Sequence, residues 1–445
     1  MLIHPMRATW PMATVLIALM VTTACGWPTG RANPSTGPAS GGRATTPASS
    51  PASGGRLTSP PAVACNPSSN TRVLSGPVAA YFWRSQDGCV TVSLVDAAGD
   101  LSTVTALATH AWQFTCQHDL WGGAAVANSG QTPGPAYSVT KDRIYWWDGH
   151  LIRSLDRGGN QGEVALDAGD QIGLEFAVSP DDARIVVTTI DFGRWPLHRT
   201  SWVEDFGTHA NKSVIFEGDL PSDANSLNEG APTGWPWGWQ GARPVLYDFP
   251  VCALIAGDVF IAANHPRVVD PSSGTRIVTF PRCYGGTVTV GGVFCTTAPS
   301  TADNPFTARA LSLFGWTGSQ STSWQLPYDT VACDSDLSPS GNRVLAYCEP
   351  NIYTQTQAST TRQFLFGAGP AVPPGIQQPV SLRWLDDDLV LESRTLSDPA
   401  GYRSAIYIWS LSRQATVAGP ITIPGSYNRP RQWFNSAPPP TRLLA

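Results

Sequence analysis

Two eleven-residue stretches of this chain follow nearly the same pattern and lie far apart. Residues 179–189 read SPDDARIVVTT, and residues 338–348 read SPSGNRVLAYC. In both, Ser, Pro, Asp and Gly favour a tight turn, and the apolar residues that follow favour a strand. A turn and strand repeated at this distance predict a fold assembled from similar units.

The same order of a short polar turn and a strand-like run occurs at five further places. Further strand-like runs often follow the turn, such as Ser404–Ser410 and Ala415–Val417 after the last turn, which gives about four strands per unit. Long helical periodicity is absent from the domain, so this spacing predicts an all-β fold, a β-propeller of seven four-stranded blades; six or eight blades remain open. All seven turns, with a mean step of 50 residues, centre near 87, 142, 182, 242, 291, 341 and 387.

The turns at Ser179–Asp182 and Ser338–Gly341 resemble the Ser-Pro-Asp-Gly repeats of TolB-type, WD-repeat-like bacterial propellers. In that family the turn joins the first two strands of a blade. Closure of the ring requires that a strand near one terminus complete a blade begun at the other, and Arg72–Leu74 and Val78–Phe82 are the candidates. The family contains both partner-binding scaffolds and appended domains of enzymes, so it implies no activity.

The N-terminal residues predict export. An apolar run at Ala13–Thr22 has the length of a signal-peptide core, and small residues precede Cys25. Residues 1–24 therefore resemble a bacterial lipoprotein signal peptide, with Cys25 as the lipidated residue. Thr22 stands where that family usually has an aliphatic residue, and ordinary secretion is the alternative.

Composition divides the remainder of the chain into a linker and a domain. Of the 39 residues 26–64, 32 are Gly, Pro, Ser, Thr or Ala, which predicts that residues 25–64 form a disordered, lipid-anchored linker. Residues 65–445 are rich in aromatic and β-branched residues and are expected to form the propeller domain. The net charge of −5 gives no indication of nucleic-acid binding.

The eight cysteines other than Cys25 predict up to four disulfides in an exported protein. Cys333 and Cys348 lie symmetrically about Ser340 and Gly341, so a two-residue hairpin turn there would place them opposite each other as a disulfide. The connectivity of the other six stays open. No Cys-x-x-Cys spacing or neighbouring histidine pair occurs, and the prediction is that the protein has no metal and no cofactor.

Candidate binding residues come from the irregular region 191–239. It collects Trp, His and charged residues between strand-like runs, where propellers place functional loops. The alternative is that these residues form a solvated insertion and that the tryptophans fill gaps between blades, as expected for Trp146 and Trp147. The candidates are Trp195, His198, Arg199, Trp202, Glu204, His209, Trp235 and Trp237.

No linear catalytic motif appears, neither a Gly-x-Ser-x-Gly elbow nor a His-Glu-x-x-His or phosphate-binding loop. The catalytic residues are therefore unknown. The sequence favours an exported, lipid-anchored propeller on the extracytoplasmic side of the membrane that acts as a non-catalytic binding or scaffold protein. Its partner would be an envelope protein or polysaccharide, and the membrane would be reached through the lipid alone. The alternative is a carbohydrate-active enzyme, a glycosidase or lyase, with carboxylates at one mouth of the ring.

Overall fold

In a computed structural model of the chain, the described residues form strands and turns, and none of them is helical. No helix among them is therefore long and apolar enough to cross a membrane. The signal peptide, Cys25, the linker, Trp195 and Cys333 lie outside the described residues. The described residues are 67–84, 89–107, 114–115, 129–130, 137–166, 172–191, 194, 196–220, 234–248, 264–281, 283–297, 310–325, 334–348, 351–356, 362–364, 376–398, 401–428 and 441–442.

The strands of the first half of the chain form three sheets, called sheet I, blade II and blade III, and a separate two-stranded ribbon, β5–β6. Sheet I contains β1 (Ser68–Asn70), β2 (Val78–Arg84), β3 (Cys89–Asp96) and β4 (Leu101–Leu107), and the ribbon contains β5 (Phe114–Thr115) and β6 (Ser129–Gly130). Blade II contains β7 (Tyr137–Val139), β8 (Arg143–Trp147), β9 (Leu151–Asp156) and β10 (Gln161–Ala165). Blade III contains β11 (Ile172–Val178), β12 (Arg184–Asp191), β13 (His198–Asp205) and β14 (Ser213–Asp219).

The second half of the chain forms blades IV to VII and the last strand of sheet I. Blade IV contains β15 (Trp235–Gln240), β16 (Arg243–Asp248), β17 (Asn264–Val269) and β18 (Arg276–Thr279), and blade V contains β19 (Cys283–Thr289), β20 (Gly292–Thr297), β21 (Ala310–Gly315) and β22 (Gln320–Gln325). Blade VI contains β23 (Asp334–Leu337), β24 (Arg343–Cys348), β25 (Asn351–Thr356) and β26 (Arg362–Phe364). Blade VII contains β27 (Ile376–Trp384), β28 (Leu389–Asp398), β29 (Gly401–Ser410) and β30 (Ala415–Asn428), and β31 (Thr441–Arg442) follows.

The sheets form a propeller of antiparallel, mostly four-stranded units. Six sheets have the predicted four strands in chain order, whereas sheet I has five, in the order β1-β4-β3-β2-β31. Strand β31 pairs with β2, where Ala79 lies opposite Arg442, so sheet I joins the first described strands to the last, as ring closure requires. Of the two closure candidates, Val78–Phe82 is the strand, and Arg72–Leu74 lies outside any strand.

Apolar clusters join each sheet to the next and blade VII to sheet I. Trp146 of β8 packs on sheet I, while its neighbour Trp147 packs on blade III, because successive strand residues point to opposite faces. This confirms the expectation that this tryptophan pair fills the spaces between blades. Trp384, with no measurable exposure, fills the space between blades VI and VII.

Six of the seven repeated turns occupy equivalent positions, since each lies between the first and second strands of a four-stranded sheet. The turn predicted near 87 falls between β2 and β3 of sheet I, in residues 85–88, outside the described residues. In both SerPro stretches the serine N–H donates to the arginine carbonyl, at 2.8 Å for Ser179 and 2.9 Å for Ser338. Each serine Oγ also accepts from the N–H of that arginine, at 2.8 and 3.1 Å. Asp182 and Gly341 both adopt left-handed φ, at 57° and 73°. The predicted positive φ of Gly341 is confirmed, and Gly88 lies outside the described residues.

One disulfide is present among the described residues, between Cys283 of β19 and Cys295 of β20. The sequence left this pairing open. In blade VI, Leu337 pairs with Val344 and Asp334 with Tyr347, the register expected from the symmetry about residues 340 and 341. The connection spans four residues, 339–342, rather than the predicted two-residue turn. Because Cys333 lies outside the described residues, its disulfide with Cys348 stays a prediction.

Candidate functional site

The two ends of the blades carry different kinds of connections between strands. The short repeated turns lie at one end, which we call the turn end. The connections from second to third strands and from one blade to the next lie at the opposite end, the connection end. Residues 221–233, between β14 and β15, and residues 249–263, between β16 and β17, lie outside the described residues. Since propeller function is usually carried by long connections on a rigid frame, the connection end is the candidate functional face.

Strand β13 separates the predicted site residues into two groups. His198 and Arg199 are at its start, at the connection end, whereas Glu204 is near its other end and His209 lies in the turn that follows. Five residues of strand separate Arg199 from Glu204, a distance of about 16 Å. The predicted residues of β13 and the turn therefore do not converge on one point.

The residues at the turn end stabilise the β13–β14 hairpin. The Glu204 carboxylate is buried and accepts a hydrogen bond from Trp202 Nε1 at 3.0 Å. Its other oxygen lies 2.7 Å from His209 Nδ1. Lys212 Nζ is 4.2 Å from the centre of the Trp202 ring. These contacts are all within one hairpin, so they account for its shape by packing and hydrogen bonding.

An exposed polar cluster at the connection end contains His198. His198 Nδ1 lies 2.7 Å from Asp219 Oδ1, and Arg194 Nη2 donates to the same oxygen at 2.9 Å. The hydrogen bond from His198, with the charge of Arg194, lowers the pKa of Asp219. We call Arg194, His198 and Asp219 the His198 cluster. It presents polar groups of both charges to solvent.

A buried polar cluster lies between blades III and IV, one residue further along β13. Arg199 is 4% exposed, and its Cζ lies 3.2 Å from the centroid of the Phe216 ring. Its Nε and Nη1 atoms are buried and have no hydrogen-bond partner. Burial, followed by the nearby charge of Arg267, lowers the pKa of Arg199 to about 9, so the guanidinium remains charged at neutral pH.

Blade IV supplies the other members of this cluster. Arg267 of β17 donates two hydrogen bonds to the Asp248 carboxylate, at 2.8 and 3.0 Å, and Gly234 N–H donates a third at 3.0 Å. Sequence reasoning missed both residues. They belong to ordinary strands in a different blade from Arg199, and no linear motif connects them.

The predicted tryptophans of β15 pack against neighbouring residues and do not project freely from the surface. Trp235 is 2% exposed, and Trp237 packs against the apolar cluster shared by blades IV and V. The Trp237 ring centroid is 5.6 Å from that of Tyr247. The burial of Trp235 agrees with the alternative that these rings fill spaces between blades.

Other titratable groups of the described residues show the cost of burying charge. Glu175 of β11 is 9% exposed, and burial raises the pKa of its carboxyl well above the usual value. Asp336 accepts hydrogen bonds from the N–H groups of Leu337 and of Trp384 in the next blade.

Among the described residues, no three His, Cys, Asp or Glu side chains are grouped to hold a metal ion.

No protein-family model and no curated protein matches this chain. Solved structures resemble it distantly. Acylaminoacyl peptidase of Pyrococcus horikoshii is 14% identical with a TM-score of 0.35, over 74% of this chain and 44% of the peptidase. Dipeptidyl peptidase 4 of Porphyromonas gingivalis is 10% identical with a TM-score of 0.40, over 77% of this chain and 50% of that enzyme. The Dos1 propeller is 11% identical with a TM-score of 0.39, over 81% of this chain and 89% of that one.

The chain thus spans about half the length of the two peptidases or less. At these scores the similarities carry no argument about activity. The assignment of the fold rests on the strand order and on the closure of sheet I described above.

Proposed function

We propose that this protein is a non-catalytic binding propeller of the cell envelope that holds a protein or polysaccharide partner at its connection end. The observation that supports the proposal most is the asymmetry of the ring. Short turns occupy one end, whereas long connections and the exposed His198 cluster occupy the other. A rigid ring that carries variable segments on one face is suited to recognition.

The hydrogen bonds made by the buried carboxylates favour a binding role over the glycosidase or lyase alternative. A glycosidase needs two carboxyl groups that face a common substrate pocket. Asp248, Glu204 and Asp336 instead accept hydrogen bonds from groups of their own or the next blade. These carboxylates are occupied in holding strands and blades together.

A charge reversal tests whether the connection end is the binding face. We expect Arg194→Glu to lower the recovery of the partner about tenfold, equivalent to roughly 1.4 kcal/mol, when the tagged full-length protein is purified from its own envelope. The new carboxylate would repel Asp219 and invert the charge offered to the partner. The readout is quantitative mass spectrometry of the copurified material, including its sugar content.

The matched control is Lys141→Glu, an exposed charge reversal in the turn of blade II at the turn end. It should leave recovery of the partner unchanged. Equal loss in both variants would contradict the assignment of the face. Turnover of an envelope polysaccharide by the purified protein would contradict the non-catalytic role.

The proposed address is the extracytoplasmic side of the membrane, reached through a signal peptide at residues 1–24, a lipid on Cys25 and the linker 25–64, which precede the propeller domain at 65–445. We expect Cys25→Ser to move the protein from the membrane fraction to the soluble exported fraction. The thiol is the atom that the lipid would modify, and no other anchor is proposed. Cell fractionation with immunodetection measures this, and a variant that stays wholly membrane-bound would show that lipidation at Cys25 is wrong.

A further inference from the structure

Glu175 is a buried carboxyl group on the inner edge of the ring. It lies in the middle of β11, the first strand of blade III, which packs against β7 of blade II and β15 of blade IV. The side chain is 9% exposed. Its neighbours Leu174 and Phe176 pack towards blade II, whereas Ala177 packs towards blade IV. Because alternate residues of a strand share a face, Glu175 is directed with Ala177 towards the contact between blades III and IV.

Among the described residues, the Glu175 carboxyl group has neither a hydrogen bond nor a cation beside it, and burial is the cause that raises its pKa. Thr188 lies opposite it on β12, but the Thr188 hydroxyl donates its proton to the carbonyl oxygen of Gly234 at 2.9 Å. A buried carboxylate without donors is far more costly than a neutral carboxyl group. The buried carboxylates that do accept hydrogen bonds include Glu204, Asp248 and Asp336.

The strands around Glu175 provide no positive charge. Strands β7, β11 and β15 contain no Lys, Arg or His. Burial, followed by the charge of Glu175 and then that of Tyr137, raises the pKa of Tyr247 on β16, so the titratable groups near Glu175 are themselves acids. The charged residues elsewhere at the contact between blades III and IV, each held by other contacts, are Arg184, Arg199, Asp248 and Arg267.

We propose that Glu175 makes the contact between blades III and IV sensitive to pH: the inner strands pack most stably while its carboxyl group is protonated, and loss of the proton weakens the contact. The folded ring holds this proton more tightly than the unfolded chain does, because only the folded state buries the group. The resulting stabilisation is complete below the ordinary pKa of a glutamate and is lost as pH rises through the raised pKa of the folded protein. This property is separate from partner binding at the connection end and so goes beyond the proposed function.

Thermal unfolding of the purified full-length protein and of Glu175→Gln, at about pH 5 and about pH 8, tests the proposal. Glutamine keeps the shape of the side chain but has no proton to lose. We expect the Tm of Glu175→Gln, relative to that of the unmodified protein, to increase by about 2 °C or more from the lower pH to the higher. Histidines change charge in this range in both proteins, so the relative Tm is the quantity to compare. Glu163→Gln removes an exposed carboxyl group of blade II, and its relative Tm should stay constant.

Hydrogen exchange, corrected for the intrinsic effect of pH, locates the change in the ring. Peptides that cover β11 and β15 should exchange faster at the higher pH, relative to peptides from β20 and β21 of blade V. Glu175→Gln should not show this difference. An equal change in both regions would contradict the assignment to the contact between blades III and IV.

NMR of protein isotope-labelled at glutamate Cδ follows the proton itself, since the chain has only seven glutamates. We expect a signal that titrates well above the ordinary range and is missing from Glu175→Gln. A constant relative Tm of Glu175→Gln, an equal increase in Glu163→Gln, or seven signals that all titrate in the ordinary range would overturn the proposal. If Glu175→Gln does not fold, Glu175→Leu also lacks the proton and should show the same increase in relative Tm. None of these results depends on the envelope purification, so the two proposals fail separately.

Discussion

Replacing Gly292 by alanine is expected to lower the free energy of unfolding by about 3 kcal/mol or more. Gly292 begins β20 with φ of 150°, a conformation that L side chains rarely adopt. A Cβ built there would lie 1.8 Å from the carbonyl oxygen of Phe314, and Gly292 pairs with Gly315 across the sheet. The clash is with backbone, so β20 and β21 would have to separate. Equilibrium denaturation in urea measures the loss.

The neighbouring residue provides the control. Gly291 is exposed, and the atom closest to a Cβ there is Thr289 Oγ1 at 4.0 Å, an ordinary contact distance. Gly291→Ala should therefore change the free energy of unfolding by less than about 1 kcal/mol. Similar losses in the two variants would contradict the close approach of β20 to Phe314.

The fold could be predicted from the sequence because its defining pattern is local. A polar turn and the strand after it lie within eleven residues, and each blade pairs strands that follow one another along the chain. The fifth strand of sheet I could not be predicted in the same way. Strand β31 has two residues, Thr441–Arg442, too few for any periodicity, and it is recognised by its pairing with β2.

The site could be predicted only in part, because its members come from different blades. The region 191–239 pointed to His198 and Arg199, but not to the fact that one is partly exposed and the other buried. Alternation along β13 explains that difference, since neighbouring residues of a strand point to opposite faces. Arg267 and Asp248 lie near Arg199 because blade IV packs on blade III. That packing depends on the whole ring, so no characteristic spacing of these residues in the sequence reveals it.

The buried ion pair of this cluster should be far more important for stability than the exposed pair nearby. Asp248→Ala is expected to lower the free energy of unfolding by about 3–5 kcal/mol, because it leaves Arg267 buried without its carboxylate and beside Arg199. The side chains of Arg267 and Asp248 are only 11% and 8% exposed, so water cannot replace the lost partner. Urea denaturation again provides the measurement.

Asp219→Ala is the matched control, because it removes the carboxylate of an ion pair with Arg194 whose side chains are 49% and 44% exposed. Solvent screens that pair, so the loss should be much smaller than in Asp248→Ala. The contrast separates two roles within one region of blades III and IV. At Arg194 and Asp219 the charges are exposed and available to a partner, whereas at Asp248 the charge is needed to keep Arg267 in place. Equal losses in Asp248→Ala and Asp219→Ala would show that solvent reaches the Arg267 pair.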